Sequence, residues 1–97
     1  MDNELLSCAG FQWDSGNSEK NMIKHQVSRT ECEQIFFNIP LITGDDPKHS
    51  GTEKRYYVLG QTDNGRLIFL VCTVRNKLIR IISARDMNAK EKEVYKL

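Results

Sequence analysis

The chain has 97 residues, 14 Lys and Arg against 13 Asp and Glu, a formal charge of +1 and 39% hydrophobic residues. That length suits one domain with a thin core, and the near balance of charge excludes a global affinity for polyanions, so any nucleic-acid contact must come from a local cluster. No apolar run approaches the ~20 residues that cross a bilayer, the N-terminus lacks a basic-then-apolar signal order, and there is neither a repeat nor a low-complexity segment.

Residues 1–10 read as a leader, flexible or adding one turn, and residues 11–97 as a single domain. Phe11-Gln12-Trp13 alternates and suits a short edge strand. Ser15 to Ser18 offer several N-caps, and a short helix follows over Glu19 to His25. Ser28 and Glu31 form a capping box that starts a second helix at Arg29, predicted to run to about Asn38 and to stop before Pro40. Cys32, Ile35 and Phe36 give it a core-facing stripe. Leu41 to Thr43 suits another short strand, and the polar loop Gly44 to Thr52 delivers His49 to the strands that follow.

Those strands dominate the sequence. Glu53 to Gly60, Arg66 to Arg75 and Lys77 to Arg85 are rich in branched and aromatic residues, and turn chemistry at Asp63-Asn64-Gly65 and Asn76-Lys77 joins them into an antiparallel meander. If Asn64-Gly65 and Asn76-Lys77 are two-residue loops, Leu59 faces Leu70, Tyr57 faces Cys72, Arg75 faces Leu78 and Thr73 faces Arg80. One face then holds Arg75, Thr73 and Arg80. The other holds Leu59, Leu70, Cys72, Ile79 and Ile81 and ends in Ser83 and Arg85. A second box at Asn88 and Glu91 predicts a terminal helix over Ala89 to Tyr95. Three main strands, short N-terminal strands and packed helices make an α+β fold. Cys8, Cys32 and Cys72, odd in number and widely spaced, read as reduced thiols of a cytoplasmic protein.

There is no glycine-rich phosphate loop, no paired-cysteine spacing and no histidine pair at i, i+4, so neither a metal nor a cofactor is expected. The remaining groups suit metal-free work on a phosphodiester. Arginines offer permanently charged forks for phosphate oxygens and for charge developing at phosphorus. Lys24 and His25 add a charge and a proton carrier, and His49 or Glu53 can serve as acid or base. Each also has a plainer reading. Arg75 and Arg80 suit solvated strand ends, Lys24 and His25 suit the dipole of a helix C-terminus, His49 suits a polar loop, and Trp13 suits a core anchor.

The order of these motifs resembles one family. Phe11-x-Trp13-Asp14, Asn21-x-x-Lys24-His25-x-Val27-Ser28, Glu53-x-Arg55, Gly65-Arg66-Leu67, Thr73-x-Arg75, Arg80-Ile81-Ile82-Ser83-Ala84-Arg85, and Glu91 with Tyr95 are similar to the BrnT family of type II toxins. The resemblance implies a RelE-like fold and a bacterial, cytoplasmic, metal-independent endoribonuclease that cleaves RNA and arrests growth. It implies a BrnA-like ribbon-helix-helix antitoxin that contacts DNA, so that the toxin meets DNA only indirectly, and no membrane. The matching positions carried over are Trp13, Lys24, His25, Arg75, Arg80, Ser83 and Arg85; catalysis is expected of His25, Arg75, Arg80 and Lys24, and RNA contact of Arg85, Ser83, Trp13, Arg55 and, from the polar loop, His49. The sequence departs from the family at Ser15 and Asp86, where proline is usual, and at Gln26, where glycine usually ends a helix in the left-handed conformation. The alternative is a catalytically weak module that binds an antitoxin-like protein or RNA without cutting it.

Overall fold

A five-stranded mixed sheet in the order β1-β5-β4-β3-β2 carries two short helices in the computed structural model, which describes residues 5–13, 25–49 and 51–96. The strands are β1 (Gly10–Gln12), β2 (Ile42–Asp45), β3 (Tyr56–Gln61), β4 (Leu67–Arg75) and β5 (Leu78–Asp86). The helices are α1 (Arg29–Gln34) and α2 (Ala89–Tyr95). The expected helix over Glu19 to His25 lies outside the described residues except at its last position.

β3, β4 and β5 form the antiparallel run expected from the sequence, but the sheet as a whole is not a three-stranded antiparallel meander. β2 adds antiparallel to β3, and β1 adds parallel to β5, pairing Phe11 with Ile79. A parallel pair needs a crossover, and the chain from β1 to β5 runs through α1 and three other strands. Both capping boxes form: Ser28 Oγ accepts from the Glu31 amide at 3.1 Å, and Asn88 Oδ1 accepts from the Glu91 amide at 2.8 Å. α1 is shorter than expected, because the chain tightens into a 3-10 turn over Ile35–Phe37. There Ile35 meets Gly60 of β3 so closely that a Cβ on Gly60 would stand 2.9 Å from the Ile35 Cβ.

The expected register holds at one hairpin and shifts at the other. Asn76 and Lys77 both have positive φ, 52° and 63°, as a two-residue type I′ turn requires. Arg75 therefore faces Leu78, and Thr73 faces Arg80. Between β3 and β4 the Thr62 amide donates to the Arg66 carbonyl and the Gly65 amide to the Thr62 carbonyl. The loop thus holds three residues, with Gly65 at φ 83° in its left-handed position. One extra loop residue moves the register by one, so Leu59 faces Phe69 and Tyr57 faces Val71. Leu59 changes face accordingly and packs with Met87 and Tyr95 under α2.

A second departure lies in β5. Val71 pairs with Ser83 and Cys72 with Ile81, which leaves Ile82 as an extra, bulged residue. Beyond the bulge the alternation inverts. Ser83 and Arg85 therefore lie on the face that carries Arg75 and Arg80, not at the end of the apolar plate. The main core sits on the opposite face, where Ile68, Leu70, Cys72, Ile79 and Ile81 pack against Val27, Cys32 and Ile35 from the α1 side.

Candidate functional site

The face of the sheet away from α1 is built in rows across the strands. One row holds Gly44, Tyr57, Val71 and Ser83, and the next holds Ile42, Leu59, Phe69 and Arg85. In the other direction Thr73 stands beside Arg80, and Arg75 beside Leu78. Continuing the alternation of β3 outward from Tyr57 adds Arg55 to the Thr73 row and Glu53 to the Arg75 row. The side chains bear this out. Arg75 Nε and Nη2 donate to the two Glu53 carboxylate oxygens, each at 2.6 Å, and Thr73 Oγ1 donates to the Lys54 carbonyl at 2.8 Å. Rows two residues apart along a strand are roughly 7 Å apart.

Glu53 is the electrostatic centre of this end. The hydrogen bonds from Arg75 hold its carboxyl below the ordinary glutamate range, and the charges of Arg75, Arg80 and Arg55 add to them. The same bonds raise Arg75. Arg75 thus grips the Glu53 carboxylate directly at an exposed strand end, on the face that also carries Arg80 and Arg55. Next to them a groove is lined by Asp46, Arg55, Phe69, Val71, Ile82 and Ser83. Its mouth is tied by the Asp46 amide, which donates to the Arg55 carbonyl at 2.9 Å.

Arg85 belongs to the same face but is held differently. Its Nη1 and Nη2 donate to Glu91 at 2.8 and 2.9 Å, and its guanidinium lies 4.3 Å from the centre of the Phe69 ring. Those hydrogen bonds keep Glu91 below the ordinary glutamate range, and Glu91 also accepts from the Asn88 amide to complete its capping box. Arg85 is therefore a clamp between β5 and α2.

His25 and Trp13 are placed elsewhere. The His25 carbonyl accepts from Arg66 Nη2 at 3.2 Å, and the Gln26 carbonyl accepts from Nη1 at 2.8 Å. Arg66 also donates to Asp86 Oδ1 at 2.7 Å and to Glu31 Oε2 at 3.1 Å. Asp86 pairs with Ile68, seven residues along β4 from Arg75, or roughly 23 Å. His25 thus sits at the far end of the strands from the Arg75 and Glu53 pair. Gln26 takes the left-handed conformation at φ 56°, the position where the resembling family usually has glycine. The Trp13 indole donates to Glu33 at 2.8 Å and lies under the Arg29 guanidinium, packed against the core on the α1 side. Lys24 and the side chain of His49 lie outside the described residues. The backbone of His49 ends the 3-10 turn Pro47–His49 between β2 and β3.

The structure therefore brings together Arg55, Arg75, Arg80, Ser83 and Arg85 on one face and does not bring His25 or Trp13 to them. Sequence reasoning named Glu53 only as one acid-base option, and gave Tyr57, Phe69 and Asp46 no part. The signal for the first was its alternation with Arg55 and Tyr57 along one strand. Among the described residues no three His, Cys, Asp or Glu side chains group so as to hold a metal ion, and no helix is long and apolar enough to cross a membrane.

Residues 13–91 match the family model described as "Ribonuclease toxin, BrnT, of type II toxin-antitoxin system". A search of curated proteins found no match.

Proposed function

The chain belongs to the BrnT family of ribonuclease toxins of type II toxin-antitoxin systems, and from that premise we propose that it cleaves RNA without a metal at the open face of its sheet. The observation that carries this reading is the pair of Arg75 and Glu53, bonded through both carboxylate oxygens at 2.6 Å on the face that also carries Arg55 and Arg80. A phosphodiester is an anion of similar reach, and fixed guanidinium groups both bind it and offset the charge that builds on a pentavalent phosphorus. RNA carries its own nucleophile in the 2′-hydroxyl. Glu53, kept ionised by its arginines, accepts the 2′-hydroxyl proton as the 2′-oxygen bonds to phosphorus. The bond from phosphorus to the 5′-oxygen breaks, and the leaving oxygen takes a proton from solvent at this exposed site. The products are a 2′,3′-cyclic phosphate and a free 5′-hydroxyl. In this reading His25 acts away from the bond that breaks.

The reading includes a RelE-like arrangement, action in the cytoplasm on RNA, and a BrnA-like ribbon-helix-helix antitoxin that covers the basic face. A cleft of this charge would otherwise attract cellular RNA. Charge reversal at Arg75 and Arg80 is expected to weaken antitoxin binding, and undiminished affinity would move the antitoxin elsewhere. The direct test is cleavage of RNA by the purified chain in excess chelator, beside Arg80→Ala and Glu53→Gln. Cleavage that survives the chelator and falls at least tenfold in each variant is expected. Equal cleavage by all three proteins would refute the site.

A further inference from the structure

We propose that Tyr57 is the floor of a nucleobase subsite next to the phosphate cluster, one that takes an unpaired base of single-stranded RNA by stacking. The proposal rests on the ribonuclease reading above and adds to it a second contact of different chemistry. Its basis is how the ring is held. A Cβ added to Gly44 would fall on the Cε2, Cζ and Oη atoms of Tyr57, so the ring lies down over the backbone of β2 where only glycine leaves room. The Tyr57 and Phe69 rings are parallel to within 11°, with centroids 6.5 Å apart. Phe69 in turn lies under Arg85, and Arg85 is pinned by both oxygens of Glu91. An aromatic side chain is thus fixed from β2 to α2 by successive contacts.

The ring is fixed without being fully buried. Its neighbour Leu59 is closed off under α2, while Tyr57 stays half-buried at the edge of a groove that runs past Asn88, Lys90 and Val94. The groove beside Arg55 and Ser83 also has Phe69 in its wall, so the two depressions share the ring that Tyr57 stacks against. The Tyr57 row lies roughly 7 Å from the row of Arg55, Thr73 and Arg80, the scale of the sugar that separates a phosphate from its base. Stacking on a preformed aromatic needs no particular base, because every base has a π-face, but it does need one that is not already stacked in a duplex.

The test uses the full chain and a dye-labelled single-stranded 2′-fluoro oligonucleotide, which lacks the 2′-hydroxyl and is not cleaved. Binding is followed by fluorescence anisotropy for the wild type, Tyr57→Phe, Tyr57→Leu and Tyr57→Ala, with an abasic residue moved through the oligonucleotide. The proposal expects Tyr57→Phe to bind as the wild type does. Tyr57→Leu, which keeps apolar bulk without a π-face, and Tyr57→Ala should bind about tenfold more weakly. One abasic position should produce the same loss in the wild type and no further loss in Tyr57→Leu. If the wild type binds and cleaves RNA but Tyr57→Leu binds equally well, or abasic losses persist unchanged in that variant, the subsite is refuted and the ribonuclease reading stands. If the wild type neither binds nor cleaves, both are overturned.

Discussion

Replacing Arg66 by Ala removes the clip that ties the start of α1 to the end of β5, and the size of the loss follows from its partners. The side chains of Arg66 and Glu31 are 27% and 29% exposed, so their pair sits in a partly dry setting where a charge-assisted hydrogen bond contributes ~1.5–3 kcal/mol. Asp86 is 63% exposed, and that arm is worth the surface value, under about 1 kcal/mol. The His25 and Gln26 carbonyls exchange Arg66 for water at little net loss. The sum is about 1.5–4 kcal/mol at pH 7, a fall of roughly 6–30 °C in Tm for a chain of this size. Urea and thermal denaturation followed by circular dichroism measure it.

The same clip predicts a pH dependence with a definite sign. Burial raises Glu31, but hydrogen bonds from the Ser28 amide and Arg66 outweigh it and hold the group below its ordinary 4.5. The hydrogen bonds and charge of Arg66 hold Asp86 below its ordinary 3.8. A carboxylate whose pKa is depressed by folding contributes stability above its unfolded value and loses it as pH falls through the folded one. The gap between wild type and Arg66→Ala should therefore be constant above about pH 5 and narrow below pH 4. A loss under about 0.5 kcal/mol at pH 7, or a gap unchanged at pH 3, would refute the reasoning.

Other expectations follow from the backbone and the core. Gln26→Gly and Lys77→Gly each relieve a side chain in the left-handed region and should stabilise the fold by about 1 kcal/mol, read as a shift in urea midpoint. Gly60→Ala pushes a methyl against the Cβ and carbonyl oxygen of Ile35 and should destabilise by ~1–3 kcal/mol by the same measurement. Burial pushes the Cys32 and Cys72 thiols up to about 12, so at pH 8 the native protein should leave both unmodified by a thiol reagent, and denaturant should release them. Tyr95→Phe removes the 2.6 Å bond to the Pro40 carbonyl and should lower stability by about 1 kcal/mol.

Much of this face was legible because its turn was. Asn76 and Lys77 leave room only for a two-residue connection, and that alone places Thr73 opposite Arg80 and Arg75 opposite Leu78. The capping boxes fixed the start of both described helices for a similar reason, since each depends on residues three apart in the chain. Asp63-Asn64-Gly65 was ambiguous, because Gly65 serves equally in a two-residue turn and in the left-handed position of a three-residue loop. The bulge at Ile82 was invisible, since in Ile81-Ile82 either residue can fill the core and nothing local marks which one is extra. That single residue decides whether Ser83 and Arg85 join the arginine face. The distance between His25 and Arg75 is a tertiary fact, set by which end of β4 the residues around Arg66 occupy, and their shared place in a motif order carries no information about it.

The most direct test of the central claim is the chemistry of the cut ends. RNA digested by the wild-type chain in excess chelator should carry 2′,3′-cyclic phosphate and 5′-hydroxyl termini, and a single 2′-deoxy substitution at a mapped cleavage site should abolish cutting there. Ends bearing a 5′-phosphate, or undiminished cutting at the 2′-deoxy position, would contradict a mechanism in which RNA supplies the nucleophile, Glu53 the base, the arginines the positive charge and solvent the leaving-group proton.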